Sequence, residues 1–467
     1  MTSKLNILLP IEIEKRELDY KLFLASMIVN RDNKVYIGQH NYLYDLAKNM
    51  RNGIYVGKNL FSIDRDGTWF SDKYFKLNEN KIKLVHLDEE GGIMPGSKTM
   101  WNEWLTKRID LHSIKNNDYI CTWGDFQKNF YRENTMLNEK HILTTGHPRL
   151  DLPTKKYNKY YSKEVGEIEA KYGEFVLINS TFTRANNCLG IEDTFSPRMR
   201  YEANDKIKSK IAISRWAYAA KTQAEYMNAL FQLSMSHPNT NFIFRPHPSE
   251  SHVIYNAIFK KSKNVHIEGN GSVIPWLLAC KLLVHDGCTT AVEGFVAGTN
   301  IINYQPFYLE ELDYIMVNGI GKRCTTKDDL YTTVNNVLKG ELSLNSLSSC
   351  AEDTLSVLHN LKNNREIDSL EMCSDLILRC QNEIDSGTEI NYTKSYLSSV
   401  TKYMVNSAKN TIRPIFRDKH KEYMAYKSHF TGFNQTVVES KFNLIKNMLN
   451  KDISFKYINK SLIVISA

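Results

Sequence analysis

The sequence predicts an α/β protein of two parallel-sheet domains followed by a helical carboxy-terminal extension. Three observations predict it. Short apolar runs of strand length recur from residue 5 to residue 304. Helical apolar periodicity fills several of the gaps between them, and polar turns bearing Gly or Pro close many runs at their carboxyl ends. The boundaries fall at residues 1–155, 156–345 and 346–467, and an apolar fraction of 42% is enough for more than one large core.

The first strand is Leu5–Leu9, followed by the charged turn Pro10–Arg16. Glu17–Val29 then carries Leu18, Leu22, Leu24, Ala25, Ile28 and Val29 on a helical face, and Lys34–Gly38 is the next strand. Strand, helix and strand at this spacing open a parallel sheet. Arg16 and Glu17 therefore stand at a strand's carboxyl end, where ligands bind in such sheets. Asn52–Leu60 and Lys81–Leu87 continue the alternation, and the second ends in Asp88-Glu89-Glu90-Gly91-Gly92. Crowded carboxylates raise one another's pKa, which suits a general base or a nucleophile. Gly91 and Gly92 let a substrate approach the backbone. If strand geometry persists, Glu89 and Glu90 point to opposite sides. Tyr119–Thr122 and His141–Thr144 close the first sheet, ending in Trp123-Gly124-Asp125 and Thr145-Gly146-His147-Pro148-Arg149, and Pro153–Lys163 is the linker.

In the second half a helix around Ser162–Tyr172 leads into strand Phe175–Ile178, which ends in a polar cluster containing Ser180 and Arg184. The helix Arg215–Met235 precedes strand Asn241–Phe244, stopped abruptly by Arg245-Pro246-His247-Pro248. Strand Lys281–His285 runs through Asp286-Gly287-Cys288-Thr289-Thr290 into a helix at Ala291–Ala297. A strand, a Gly-bearing turn with hydroxyls and a helix start together make an anion site, because unpaired N–H groups and the positive dipole end face the ligand. Alone, a His-Pro pair is a turn and a Thr-Thr pair a cap. Their order and spacing point to a nucleotide-phosphate site, with Glu293 placed to accept from a ribose. Ile301–Tyr304, the loop Gln305–Asn318 and the helix Thr326–Leu338 follow, residues 345–386 have a helical pattern, and residues 387–467 show no α/β alternation.

Composition narrows the partners. Net charge is +8, and eight Lys/Arg between Lys394 and Lys427 face only Asp418 and Glu422, a pattern that fits an anionic lipid surface or glycan carrier. The excess is small and no basic-aromatic motif recurs, so no nucleic-acid partner is expected. Eight cysteines form no CxxC pair and no zinc-spaced cluster, which fits a reduced cytoplasmic chain. No signal peptide precedes the first strand, and no run approaches the roughly 18–20 apolar residues that span a bilayer. Work at a membrane would be peripheral, at the inner face.

These motifs resemble the bacterial surface-carbohydrate (capsule and lipopolysaccharide) biosynthesis glycosyltransferases of GT-B type, with two Rossmann-like domains facing a cleft. More narrowly, they resemble transferases of CMP-activated nonulosonic and ulosonic acids: Kdo, sialic and pseudaminic acid. The acidic-acidic-Gly motif of that group is matched by Glu89-Glu90-Gly91, preceded by Asp88, and its His-Pro motif by His247-Pro248. The hydroxyls that hold the CMP phosphate are matched by Thr289-Thr290; the opening PIEIEKREL and the TGHPRLD turn look like the same group. Cys288 departs from the small hydroxylated residue common there. The likeness covers roughly residues 1–340.

The resemblance implies transfer of an acidic keto-sugar from a CMP-sugar co-substrate to a glycan acceptor, free or lipid-linked. No metal or other cofactor is expected: fixed N–H groups, the Ala291 helix dipole, Thr289, Thr290 and His247 would stabilise the leaving phosphate. Glu89, or else Glu90, would act as base in an inverting reaction or as nucleophile in a retaining one. Arg245 or Arg184 would pair the sugar carboxylate or phosphate. The alternatives are a CDP-polyol (teichoic-type) glycerophosphotransferase, a non-hydrolysing nucleotide-sugar epimerase, and an inactive glycan-binding protein.

Overall fold

A computed structural model of the chain describes residues 4–58, residues 71–345 except 107, 110, 112, 113, 116 and 200, residue 354, and residues 357–361, 368–384 and 429–467. It divides into two units. One comprises Met1–Gly92, Trp104–Asp151 and Glu366–Ala467; the other comprises Ile93–Glu103 and Leu152–Arg365. Each is built on a parallel sheet. Two Rossmann-like, parallel-sheet units in one chain are the α/β architecture expected from the sequence.

In the first unit the strands are β1 (Leu5–Ile11), β2 (Asn33–Gln39), β3 (Gly53–Val56), β4 (Ile82–Leu87), β5 (Tyr119–Thr122) and β6 (Ile142–Thr144). Their order across the sheet is β2-β1-β3-β4-β5-β6. β1 and β4 are buried along their whole length, which is why both read as continuous apolar runs with little alternation. The order reverses between β1 and β3, so the loops leaving those two strands diverge and open a crevice.

The second unit holds β7 (Phe175–Asn179), β8 (Asn241–Arg245), β9 (Val265–Ile267), β10 (Leu282–His285), β11 (Asn300–Tyr304) and β12 (Lys322–Cys324). The order is β12-β11-β10-β7-β8-β9, all parallel. Its reversal lies between β7 and β10. One face packs Val176, Ile178, Phe242, Phe244, Leu282 and Val284 under residues of the helices Lys206–Ser236 and Lys327–Leu338. The long helix begins nine residues before its expected start because Asp205 caps it, accepting from the N–H groups of Ile207 and Lys208. β9 and β12 have three residues each, too short for a periodicity to announce them.

The tail supplies the main surprise. Expected as a helical extension, it has helices at Ser369–Asn382 and Gln435–Leu449, but it ends in the hairpin β13 (Ser454–Asn459) and β14 (Leu462–Ser466). β14 pairs antiparallel with β2, extending the first sheet. Leu462, Ile463 and Ile465 are fully buried. An antiparallel strand needs no crossover helix, so nothing in a search for α/β alternation would reveal it. Ile463→Ala is therefore expected to destabilise the first unit by about 2–5 kcal/mol, measured as a shift in the denaturant midpoint at unchanged slope. A chain cut near residue 390 would also leave β2 as an open edge. The basic stretch Lys394–Lys427 lies outside the described residues. Among the described residues no helix is long and apolar enough to cross a membrane.

Candidate functional site

In the first unit the expected residues gather at the carboxyl ends of β1 and β4. Glu89 is turned inward and Glu90 outward, with side chains 1% and 50% exposed. Glu89 accepts from the Tyr20 hydroxyl. Its carboxylate also lies 3.0 Å from Lys21 Nζ and 3.3 Å from His147 Nε2. His147 Nδ1 accepts from the Arg149 N–H at 3.2 Å, so the neutral ring carries its hydrogen on Nε2, toward Glu89. Burial pushes the Glu89 carboxyl up, but Lys21, His147 and Arg16 outweigh it and hold it well below the ordinary range. Glu90 meets Arg16 at 2.9 Å; its enclosed setting would raise it, yet Arg16, Lys58 and Arg108 bring it down to about 2.

This corrects the expectation that crowding would raise these acids. Each of the three carboxylates has its own cation, and the cations win. Asp88, expected as a catalytic acid, is held by Arg108 through two bonds of 2.6 Å, a bidentate pair. Glu17 is likewise not a cleft residue. It is 1% exposed and accepts from the N–H groups of Glu12 and Ile13 at 3.1 and 2.9 Å, capping the start of its own helix. Gly91 and Gly92 provide close approach, to protein rather than to substrate: a Cβ on Gly92 would lie 2.2 Å from the Trp123 ring. Trp123 in turn donates to the Asp88 carbonyl at 2.6 Å.

What remains accessible here is Glu90, Arg16 and two neighbours the sequence reading missed. Lys58, after β3, meets Glu12 at 2.7 Å across the strand-order reversal. His429, from the tail, is lowered by burial and feels the charges of Glu12, Arg16, Lys58 and Glu90.

In the second unit the predicted residues converge on the other reversal. Asn179, Arg245 and His285 end three adjacent strands in register. Asn179 Nδ2 donates to Thr290 Oγ1 at 2.9 Å, and His285 Nδ1 accepts from the Cys288 N–H at 3.3 Å, so both hold the turn after β10. Gly287 has φ +58, and a Cβ there would strike Tyr314. Thr289 and Thr290, both half-buried, open the helix Thr290–Ala297; the Ala291 and Val292 N–H groups already bond the Cys288 and Thr289 carbonyls, so the amides offered to an anion are those of Thr289 and Thr290. Thr290 Oγ1 also donates to Cys288 Sγ at 3.1 Å, so Cys288 occupies the turn as an acceptor. Glu293, in the first turn of that helix, is buried.

His247 is exposed, with Pro248 beside it. Its Nδ1 accepts from the Ser249 N–H at 3.2 Å and lies 3.2 Å from Thr183 Oγ1, leaving the hydrogen of the neutral ring on Nε2. Ser180 Oγ accepts from the His247 N–H at 3.3 Å and donates to Glu250 at 2.8 Å. Arg184 is half-buried on the same β7 loop. Arg245 is placed differently from expectation. Its guanidinium donates to the carbonyls of Asn270 and Gly271, both at 3.1 Å, and stacks on Trp276, where burial draws it down to about 10. It braces the β9 loop.

Glu250 was not foreseen. It accepts from Ser180 Oγ, Tyr255 Oη and the Phe182 N–H, clamping the β7 loop to the β8 loop. Burial pushes its carboxyl up to about 7. Asp286, buried near Asp313, is also pushed up to about 7. Each holds its proton more tightly folded than unfolded. Their contribution to stability is therefore full below the ordinary carboxylate range and is lost as pH rises toward 7. The same ionisation places new negative charge beside the phosphate turn. Nucleotide affinity is expected to fall several-fold between pH 6 and pH 8, and Glu250→Gln with Asp286→Asn should flatten that profile, as read by titration calorimetry.

No protein-family model matches this chain, and no curated protein matches it. Among solved structures it is similar to the UDP-GlcNAc 2-epimerase of Neisseria meningitidis bound to UDP-GlcNAc, at 11% identity and TM-score 0.48, covering 80% of this chain and 100% of that one. It is also similar to the Methanocaldococcus jannaschii UDP-GlcNAc 2-epimerase, at 12% identity and TM-score 0.47, covering 80% and 99%. The wall teichoic acid polymerase TagF matches at 13% identity and TM-score 0.43, covering 82% and 90%. At such scores these likenesses carry nothing about chemistry, and the two-sheet fold stands on its own topology.

Proposed function

We propose that this chain is a glycosyltransferase that moves a nonulosonic or ulosonic acid, of the pseudaminic-acid or Kdo type, from a CMP-sugar to a surface glycan. The observation that carries the reading is the convergence of three loops at the strand-order reversal of the second unit. The turn of Gly287, Thr289 and Thr290, the exposed His247 and the Ser180–Glu250 clamp all meet at the carboxyl ends of β7, β8 and β10. Charge developing on a leaving CMP would meet the amides at the helix start, their dipole and His247 Nε2–H, donors held in place before the reaction. These groups do the work otherwise given to a metal, so the proposed transferase is metal-independent. Arg184, on the β7 loop, is the cation proposed for the sugar carboxylate.

The first unit would take the acceptor. Glu90, anionic throughout the physiological range and half exposed, is the carboxylate of this unit proposed as the reactive one. Arg16 would orient it. Glu89, expected as the reactive acid, is buried among Tyr20, Lys21 and His147 and is better read as the group that fixes this loop.

Product analysis with a CMP-nonulosonic acid, CDP-glycerol and UDP-N-acetylglucosamine tests the reading. Sugar transfer with release of CMP is expected from the first donor alone. Transfer of glycerol phosphate would make the chain a polyol phosphotransferase, and epimerised UDP-sugar without an acceptor would make it an epimerase. Donor binding without turnover on any acceptor would make it a binding protein.

A further inference from the structure

The short helix Val253–Ile258 follows the His247 loop directly and is tied to the β7 loop, with the Ser251 N–H donating to the Asn186 carbonyl at 3.0 Å. At 3.6 residues per turn, Val253, Ala257, Ile254 and Ile258 fall within one arc of about 140°. That arc faces out: Val253 is 76% exposed, Ile254 41% and Ile258 44%. Tyr255 and Phe259, on the opposite side, are buried in the core. Immediately after come Lys260, Lys261 and Lys263, all exposed. None of the three pairs with a carboxylate among the described residues, and no Asp or Glu occurs from Ser251 to Ile267. Singly exposed aliphatic residues are ordinary; a contiguous apolar arc rimmed by unopposed cations on a loop-to-helix corner is not.

We propose that this face docks the second unit on an anionic bilayer surface. Val253, Ile254 and Ile258 would enter the boundary between headgroups and acyl chains, while Lys260, Lys261 and Lys263 remain at the level of the lipid phosphates. Charge complementarity is what selects this occupant over a second copy of the chain, because self-association would set three lysines against three lysines. The docking stands independently of the proposed function. Its consequence rests on that reading: with five residues between His247 and Val253, docking holds the nucleotide loops at the membrane, where a lipid-linked acceptor would be found.

The test is co-sedimentation of the full chain with phosphatidylcholine vesicles containing phosphatidylglycerol, against phosphatidylcholine alone. Binding to the mixed vesicles is expected to be at least tenfold tighter and to weaken in high salt. The triple variants Val253→Ser/Ile254→Ser/Ile258→Ser and Lys260→Glu/Lys261→Glu/Lys263→Glu should each lower it tenfold or more. All six side chains lie on the surface, so an unchanged thermal midpoint verifies that each variant is folded. Three results would overturn the proposal. One is binding that survives both variants and is lost only on neutralising the lysines and arginines of 394–427. Another is equal binding to both vesicle types, and the last is a dimer in sedimentation velocity that the serine variant dissolves while no vesicle is bound. Vesicle binding requires no nucleotide, so a chain that ignores CMP but still docks would count against the proposed function and not against this surface.

Discussion

Replacing His247 by alanine is expected to remove most of the thermal protection that CMP confers on this protein. A ligand that binds only the folded state stabilises it by about 2.7 kcal/mol at a hundredfold excess over Kd. For a unit of about 200 residues that is a rise in Tm of roughly 5–10 °C. The expectation rests on geometry. His247 Nδ1 is held by the Ser249 N–H and Thr183, which fixes the ring and leaves Nε2–H as the outward donor. The fold itself should survive, because the side chain is exposed and the backbone contacts of the loop, through Ser180 Oγ and the Glu250 N–H, do not use the ring. A differential scan of wild type and variant, each with and without CMP, reads the effect. Protection by UDP far exceeding that by CMP would redirect the donor assignment.

The second large effect concerns the two acids after β4. Glu90→Gln keeps size and hydrogen bonding but removes the exposed negative charge, and turnover should fall by about 10²–10⁴ while CMP affinity hardly changes. Glu89→Gln should behave differently. It removes the carboxylate that Lys21 and His147 share; Lys21 keeps Glu17 at 2.8 Å, so the loss of stability should be smaller than the roughly 3–5 kcal/mol of a fully orphaned buried charge, but still measurable. Its activity loss should therefore come with a lower thermal midpoint, whereas Glu90→Gln should leave the midpoint almost unmoved. Kinetics and melting of both variants separate the roles. Near wild-type transfer by Glu90→Gln would return the reactive role to Glu89, and near wild-type transfer by both would remove the acidic motif from the chemistry. A sugar adduct on Glu90 in the intact-protein mass would establish retention.

Much of the fold was legible because parallel strands are covered on both faces and so appear as unbroken apolar runs. Phe175–Ile178, Asn241–Phe244 and Lys281–His285 are all strands in the structure, within one or two residues. The second-unit site was legible for a related reason: its residues directly follow those runs, where the sheet presents them together. The first-unit site was only half legible. Asp88, Glu89 and Glu90 stand out as a cluster, but which acid is buried depends on cations far away in sequence: Arg16, Lys21, Lys58 and Arg108. Spacing cannot supply those partners, and without them the expected pKa shift had the wrong sign. Glu17 had a local signal, a carboxylate reaching back to the first amides of its own helix, which capping chemistry explains better than ligand binding. Glu250 and His429 had none, since only the folded chain brings them to their loops.

The second unit is expected to bind the nucleotide phosphate at its strand-order reversal. A crystal structure of the chain soaked with CMP tests it most directly. Phosphate oxygens are expected within about 2.7–3.2 Å of His247 Nε2 and of the Thr289 and Thr290 backbone nitrogens at the start of the Thr290–Ala297 helix. A nucleotide bound away from the ends of β7, β8 and β10, or held only by the first unit, would contradict it.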